Sequence, residues 1–161
     1  MKIVERHRYR QSEIFETREL IFEPFDLNNI DTVVELIRNN LTPDLLKGKR
    51  LMFKGDTSKY YGHCYHASHS LFLMMNTDEL VPMSAEDYRG EKHWWLQKGE
   101  LIYDCTSEQY YEKGQTPPYD KGKKSQWYGW KQRPQQITMN LIKRVAIQQG
   151  VLLGDNVKVR G

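Results

Sequence analysis

Gly62-His63-Cys64-Tyr65-His66-Ala67-Ser68-His69-Ser70-Leu71-Phe72-Leu73 organises this chain: it reads as the opening of a helix with a cysteine in its first turn. Two further runs follow. His93-Trp94-Trp95-Leu96-Gln97 and Leu101-Ile102-Tyr103-Asp104 flank Lys98-Gly99, a two-residue hairpin turn in which glycine supplies a positive φ. That loop pairs Gln97 with Glu100, Leu96 with Leu101, Trp95 with Ile102, Trp94 with Tyr103 and His93 with Asp104. Directly opposed residues on antiparallel strands share a face with Cβ atoms about 5 Å apart. The register therefore sets a carboxylate beside an imidazole.

Working outward, the cysteine helix runs to about Asn76, and its apolar end (Leu71, Phe72, Met75) marks it as central. Leu80 to Met83 reads as a strand and Ala85 to Gly90 as a polar loop. Thr106 to Gln109 reads as a turn leading into Tyr110 and Tyr111. Upstream, Asp26 or Asn28 offers an N-cap for a helix through about Asn40, with Ile30, Val33, Val34 and Ile37 at helical spacing. Thr42-Pro43 opens a short helical turn through Leu46, and Lys47 to Lys59 is a basic connection. Glu13 to Glu23 fits a strand or a peripheral helix. Downstream, Lys113 to Lys124 carries Gly114, Pro117, Pro118 and Gly122 and reads as a loop. The aromatic group Trp127, Tyr128 and Trp130 follows. A last helix runs from Gln135 to about Gln149, with Leu141, Ile142, Val145 and Ala146 inward and Gly150 as its cap. The tail to Gly161 is an edge strand or loose. Helices, a cysteine helix, a hairpin and a final helix make an α+β pattern and not alternating βαβ units.

The chain has 161 residues, 39% of them hydrophobic and 28% charged, which suits one soluble globular domain. The expectation is a single domain over residues 1–161: a helical, peripheral part at 1–59, a catalytic core at 60–111, and a loop with the C-terminal helix at 112–161. No apolar run approaches a membrane span, and Met1 to Arg10 carries no signal-peptide core, so a cytoplasmic protein is expected. The net charge is only +3. The basic clusters Arg6–Arg10, Lys47–Arg50 and Lys121–Lys124 read as solvated loops and termini. A nucleic-acid surface needs a stronger excess and a recognisable module, although Trp127 and Trp130 beside Lys121–Lys124 keep base stacking open.

The chemistry rests on Cys64, His93 and Asp104. A thiol is activated at a helix N-terminus, where unpaired N–H groups and the helix dipole favour a negative charge, and beside an imidazolium. The same N–H groups suit the oxyanion of a tetrahedral intermediate. Gly62 leaves room for a substrate to approach. His93 fits the general base, and Asp104 the group that orients it. Taken singly, each has a plainer role: Cys64 as a buried helix thiol, His93 as a strand residue bonded to a carbonyl, and Asp104 as a cap on the turn at Thr106. The order, the helix-start position and the hairpin favour the catalytic set. Of the two cysteines, Cys105 points to the face opposite Asp104 and reads as buried and inert, and a cytosolic setting argues against a disulfide. His63, His66 and His69 are spaced by three, so pairs of them share a helix face, but the spacing matches no strong zinc pattern.

At these residues the chain resembles the transglutaminase-like branch of the papain-like cysteine superfamily. That branch has a cysteine opening a central helix, then a histidine and an aspartate on successive strands. Tyr103-Asp104-Cys105-Thr106 stands where the branch often reads Asp-Pro-Thr, with Cys105 in the proline place. Gly62-His63-Cys64-Tyr65, His93-Trp94-Trp95-Leu96 and Asp104-Cys105-Thr106-Ser107-Glu108-Gln109-Tyr110 are also similar to small uncharacterised bacteriophage and bacterial proteins. The resemblance covers roughly Tyr60 to Tyr111. It implies a papain-like fold with the cysteine helix on a small antiparallel sheet. It implies a thioester-forming amidase, peptidase or amide-exchanging transferase, with Cys64 as nucleophile, His93 as base and Asp104 as orienting group. Tyr61, Gly62, His63, Trp94, Trp95 and Gln109 are the expected substrate-binding residues, and Gln109 is a candidate for the further oxyanion donor the family carries. No cofactor or metal is called for. The expected partner is an amide-bearing protein, peptide or small molecule, with no membrane and no nucleic acid. The competing reading is a non-catalytic binding protein on the same fold, phage-encoded and directed at a host factor.

Overall fold

The computed structural model describes residues 2–8, 15–22, 27–46, 58–129, 132, 134–149 and 152–160. The architecture is α+β, with helices packed on a small four-stranded antiparallel sheet and a separate three-stranded sheet made from the two ends of the chain. β1 (Lys2–Arg8) pairs antiparallel with β2 (Phe15–Phe22). The segment open between strand and helix is thus a strand, in keeping with its Phe15, Thr17, Ile21 and Phe22. The stretch from 47 to 57 in the basic connection lies outside the described residues, as do Trp130 and Gly150.

A short 3-10 turn at Leu27–Asn29 leads into α1 (Ile30–Asn39), which buries Ile30, Val33 and Ile37. Its N-cap is Asn29, one residue past the expected Asn28. A second turn at Pro43–Leu46 buries Leu45 and Leu46. α2 (Cys64–Met75) follows Gly62, whose φ of +85° reverses the chain at no steric cost just before the helix starts. Every residue from Tyr65 to Leu71 is buried, so α2 is the central helix. It ends at Asn76, in the left-handed conformation with φ +48°, whose N–H returns to the Phe72 carbonyl.

The main sheet contains β3 (Val81–Glu86), β4 (Lys92–Lys98) and β5 (Leu101–Tyr103). β3 extends three residues beyond the Met83 expected from sequence, and the loop is confined to residues 87–91. The β4–β5 register also differs from expectation. Lys98 pairs with Leu101, Gln97 with Ile102 and Leu96 with Tyr103, so the two loop residues are Gly99-Glu100 and not Lys98-Gly99. Gly99 takes the positive φ, +58°, at the first loop position, where a type II′ turn wants glycine. The displacement is two residues, and because side chains alternate with period two it leaves every side chain on its intended face. His93 and Asp104 become diagonal neighbours across the sheet, still within reach of each other.

After β5 come α3 (Glu108–Tyr111), a 3-10 turn at Tyr119–Lys121, and β6 (Lys123–Lys124), which pairs with β3 and completes the order β5-β4-β3-β6. The segment expected to be a plain loop is therefore a strap, with Pro117 and Pro118 buried. The Trp95 indole lies edge-on to Tyr119, at 5.1 Å between ring centres. Gly122 crosses the same indole so closely that a Cβ there would stand 2.5 Å from the ring. Gly122→Ala is expected to lower stability by about 1–3 kcal/mol through overpacking. Urea denaturation of the variant checks this, and an unchanged midpoint would contradict it.

α4 (Gln136–Gln149) buries Thr138, Met139, Leu141, Ile142, Val145 and Ala146 and packs on α2. β7 (Leu152–Arg160) then adds to the free edge of β2, so the tail is an edge strand. The core joins α1, α2, α4 and the inner face of β4, with Trp94, Leu96 and Trp127 beneath α2. No helix among the described residues is long and apolar enough to cross a membrane.

Candidate active site

Cys64 is the first residue of α2 and is half-buried. Its thiol donates a long hydrogen bond to the Lys92 carbonyl, at 3.7 Å, which ties the helix start to the residue before His93. The chain's first helical bond here runs from Ala67 N–H to the His63 carbonyl, so the Cys64 and Tyr65 amides precede the ladder.

His93 is fully buried on β4. Its ring lies beside Trp95, 5.8 Å between centres at 28°, and meets the edge of Tyr110 at 4.8 Å. Nε2 is bonded to Asp104 Oδ2 at 2.6 Å. The other ring nitrogen, Nδ1, is buried and makes no hydrogen bond among the described residues. It is the atom left to meet the Cys64 thiol. Burial works against a charged imidazole, but the charge and hydrogen bond of Asp104, with a further contribution from Cys64, hold the ring's pKa well above its ordinary value.

Asp104 sits just past the end of β5 with its side chain buried. The Thr106 N–H (2.9 Å) and hydroxyl (3.3 Å) both donate to Oδ1. Oδ2 accepts the Tyr119 hydroxyl at 2.7 Å as well as His93. Burial alone would raise this carboxyl, yet His93 and these donors hold it below the usual carboxylate range. Asp104 thus does cap the turn at Thr106, and it orients the imidazole at the same time.

Cys64 opens onto a cavity of about 400 Å³. Of the residues expected to bind substrate, Tyr61, Gly62, Trp94 and Gln109 line it, whereas His63 and Trp95 do not. His63 is 1% exposed, turned inward ahead of the helix. Trp95 alternates to the other face of β4, into the strap, where its indole N–H donates to Gln97 Oε1 at 3.3 Å. Gln109, the candidate for the further oxyanion donor, is held at both ends of its amide. Its Nε2 donates to the Thr106 carbonyl at 3.1 Å and its Oε1 accepts from Arg89 at 3.0 Å, which fixes the orientation of the amide at the cavity wall.

Sequence reasoning missed the loop at residues 87–91, which forms one wall of the cavity. Asp87 anchors it by accepting from the N–H groups of Arg89 (2.8 Å) and Glu91 (3.0 Å) at Oδ1, and from the Arg89 guanidinium (3.0 Å) and Tyr110 hydroxyl (2.9 Å) at Oδ2. Arg89 lies over the Tyr61 ring at 4.8 Å, and the Tyr61 hydroxyl donates to Glu91 at 2.8 Å. Tyr128 and Gln135, from outside the expected core at 60–111, reach the same cavity. An Asp followed three residues later by Gly is a turn signal, but nothing local says what the turn encloses.

The three helix histidines diverge. His66 Nδ1 pairs with the Thr138 hydroxyl at 2.8 Å. His69 stacks on Trp127 at 4.3 Å and 10°, with neither ring nitrogen hydrogen-bonded among the described residues. Burial drives its pKa down to about 3. No group of three His, Cys, Asp or Glu side chains among the described residues is placed to hold a metal ion. Trp127 is buried against Trp94 and is not displayed for base stacking. Cys105 is buried, and burial with the Asp104 charge pushes its thiol far up, leaving Cys64 as the accessible one.

No protein-family model, curated protein or solved structure matches this chain.

Proposed function

We propose that the chain is a cysteine-dependent acyl-transfer enzyme on a papain-like, transglutaminase-like fold, an amidase, peptidase or transferase working through a thioester. The observation that carries this reading is the buried His93–Asp104 pair at 2.6 Å, whose imidazole also feels Cys64, the accessible thiol of the described residues, at the edge of a cavity.

Chemically, the Cys64 thiolate attacks an amide carbonyl, and the amides at the start of α2 face the developing oxyanion. His93, protonated through its contact with Asp104, gives its proton to the departing amine. Water or a second amine then enters, His93 accepts its proton, and the thioester is resolved. Asp104 holds the ring by Nε2, which leaves Nδ1 for the proton exchange. The substrate is an amide-bearing protein, peptide or small molecule, and the setting is a reducing cytoplasm, that of a host cell if the chain is phage-encoded. The steps require neither metal nor organic cofactor.

Mass spectrometry after incubation with iodoacetamide and with p-nitrophenyl acetate tests the reading. The expected result is a single adduct on Cys64, none on Cys105, and a loss of rate of about 100-fold or more in His93→Ala. A Cys64 that reacts no faster than cysteine in a short peptide, or equally fast without His93, would remove the enzymatic reading and leave the binding protein in its place.

A further inference from the structure

Tyr119 enters the site from the strap, which sequence patterns assign to a loop. Three features hold it there. Pro117 and Pro118 are buried just ahead of it, its ring meets Trp95 edge-on at 5.1 Å, and Gly122 passes against that same indole. β6 then pins the strap to β3 through the pairs Met83–Lys124 and Ser84–Lys123. The outcome is a phenol hydroxyl 2.7 Å from Asp104 Oδ2, the oxygen that also takes His93 Nε2.

We propose that Tyr119 is a positioning residue of the Cys64–His93–Asp104 centre, whose hydroxyl shares Asp104 Oδ2 with the imidazole and sets how much of the carboxylate's charge reaches His93. The inference rests on the proposed acyl chemistry for its consequence, but its test reads His93 directly and stands apart from turnover. Burial and the Asp104 charge keep the phenol protonated, far above its ordinary range, so at the shared oxygen it can only donate. Thr106 pins Oδ1 independently, so the carboxylate keeps its place when the phenol hydroxyl is removed. Oδ2 is then left to the imidazole, which feels more of its charge.

Among the described residues, Cys105 next to Asp104 feels the same carboxylate, which helps keep its buried thiol protonated. Facing the pair are Cys64 from α2, Tyr110 from α3 with its ring against His93, and Tyr119 itself from the strap. Tyr110 and Tyr111 are the other titratable groups felt by Tyr119. Tyr110, protonated and bonded to Asp87, carries no charge that competes with Asp104.

Tyr119→Phe separates an electrostatic role from a packing role by sign. The ring and its contact with Trp95 remain, and only the hydroxyl goes. In 15N-labelled protein, the His93 imidazole titration is expected to move to higher pH by about half a unit, and its Hε2 resonance at fixed pH 7 to move downfield. The acidic limb of Cys64 alkylation should stay in place or move to lower pH, because an imidazole that keeps its proton more firmly favours the thiolate beside it. Asp104→Asn, in which the charge itself is lost, is expected to move the His93 titration the opposite way. An unchanged or lowered titration in Tyr119→Phe, with an unchanged or upfield Hε2, would show that the phenol merely fills space and would overturn the proposal. Loss of Cys64 reactivity in the unsubstituted protein, with these imidazole shifts intact, would sink the enzymatic reading and spare this one.

Discussion

Asp104→Asn is expected to lower the rate of Cys64 acylation by about 10²–10⁴-fold while the chain stays folded. The reason lies in the donors around the side chain. Asp104 accepts four hydrogen bonds, two at each oxygen. An asparagine offers one acceptor oxygen and one donor amide. If its oxygen faces His93 and Tyr119, its amide meets the Thr106 N–H head-on, and one buried donor goes unmet at a cost of about 1–3 kcal/mol. The imidazole also loses the charge that keeps it protonated. Asp104→Ala is the harsher change, because removing one partner of a buried ion pair costs about 3–5 kcal/mol.

The pair also carries a pH signature. His93 has its folded pKa raised, so its contribution is complete below the ordinary histidine value of about 6.5 and is lost as pH rises through the raised one. Asp104 has its folded pKa lowered, so its contribution is present above about 3.9 and is lost as pH falls. Urea denaturation against pH should show both limbs in the native chain and neither in Asp104→Asn. An activity equal to the native protein in that variant would take the aspartate out of the mechanism.

His69→Phe should remove a second, opposite liability. His69 is fully buried in the stack with Trp127, and its folded pKa lies at about 3. An unfolded chain takes up that proton near pH 6.5, so stability begins to fall below this pH and continues to fall until about pH 3. At about 1.4 kcal/mol for each pH unit, the loss reaches about 3 kcal/mol by pH 4. Phenylalanine keeps the stack and cannot titrate. Whatever the swap costs at neutral pH, the variant's stability should stay nearly flat from pH 6.5 down to the carboxylate range. A variant whose acid slope matches the native one would show that His69 is neutral for a different reason.

Several parts of this picture were legible in the residues themselves. Gly62 before Cys64, with an apolar run from Leu71 to Met75 and an asparagine after it, is enough to specify a helix and its two ends. The alternation at His93-Trp94-Trp95-Leu96 sets His93 and Trp95 on one face, because a strand's period of two is a property of the backbone. That is why a register wrong by two residues still brought His93 to Asp104. The apolar spacing of α1 and α4 likewise identified their buried faces.

Other parts depended on contacts between residues far apart in the chain, where no local pattern carries the information. β7 pairs with β2 across almost the whole length of the chain, and a strand's hydrogen bonds are indifferent to where their partner lies in sequence. Trp94 and Trp95 are identical as letters, yet one lines the cavity and the other is sealed under the strap. The orientation of the Gln109 amide is likewise set from a distance, by Arg89 at its oxygen and Thr106 at its nitrogen. Residue types and spacing alone thus determined the helix that presents Cys64 and the strand face that carries His93, since short-range backbone geometry governs both. Only the tertiary structure decided which oxygen of Asp104 Tyr119 would share, because a hydrogen bond at 2.7 Å depends on how separate elements pack.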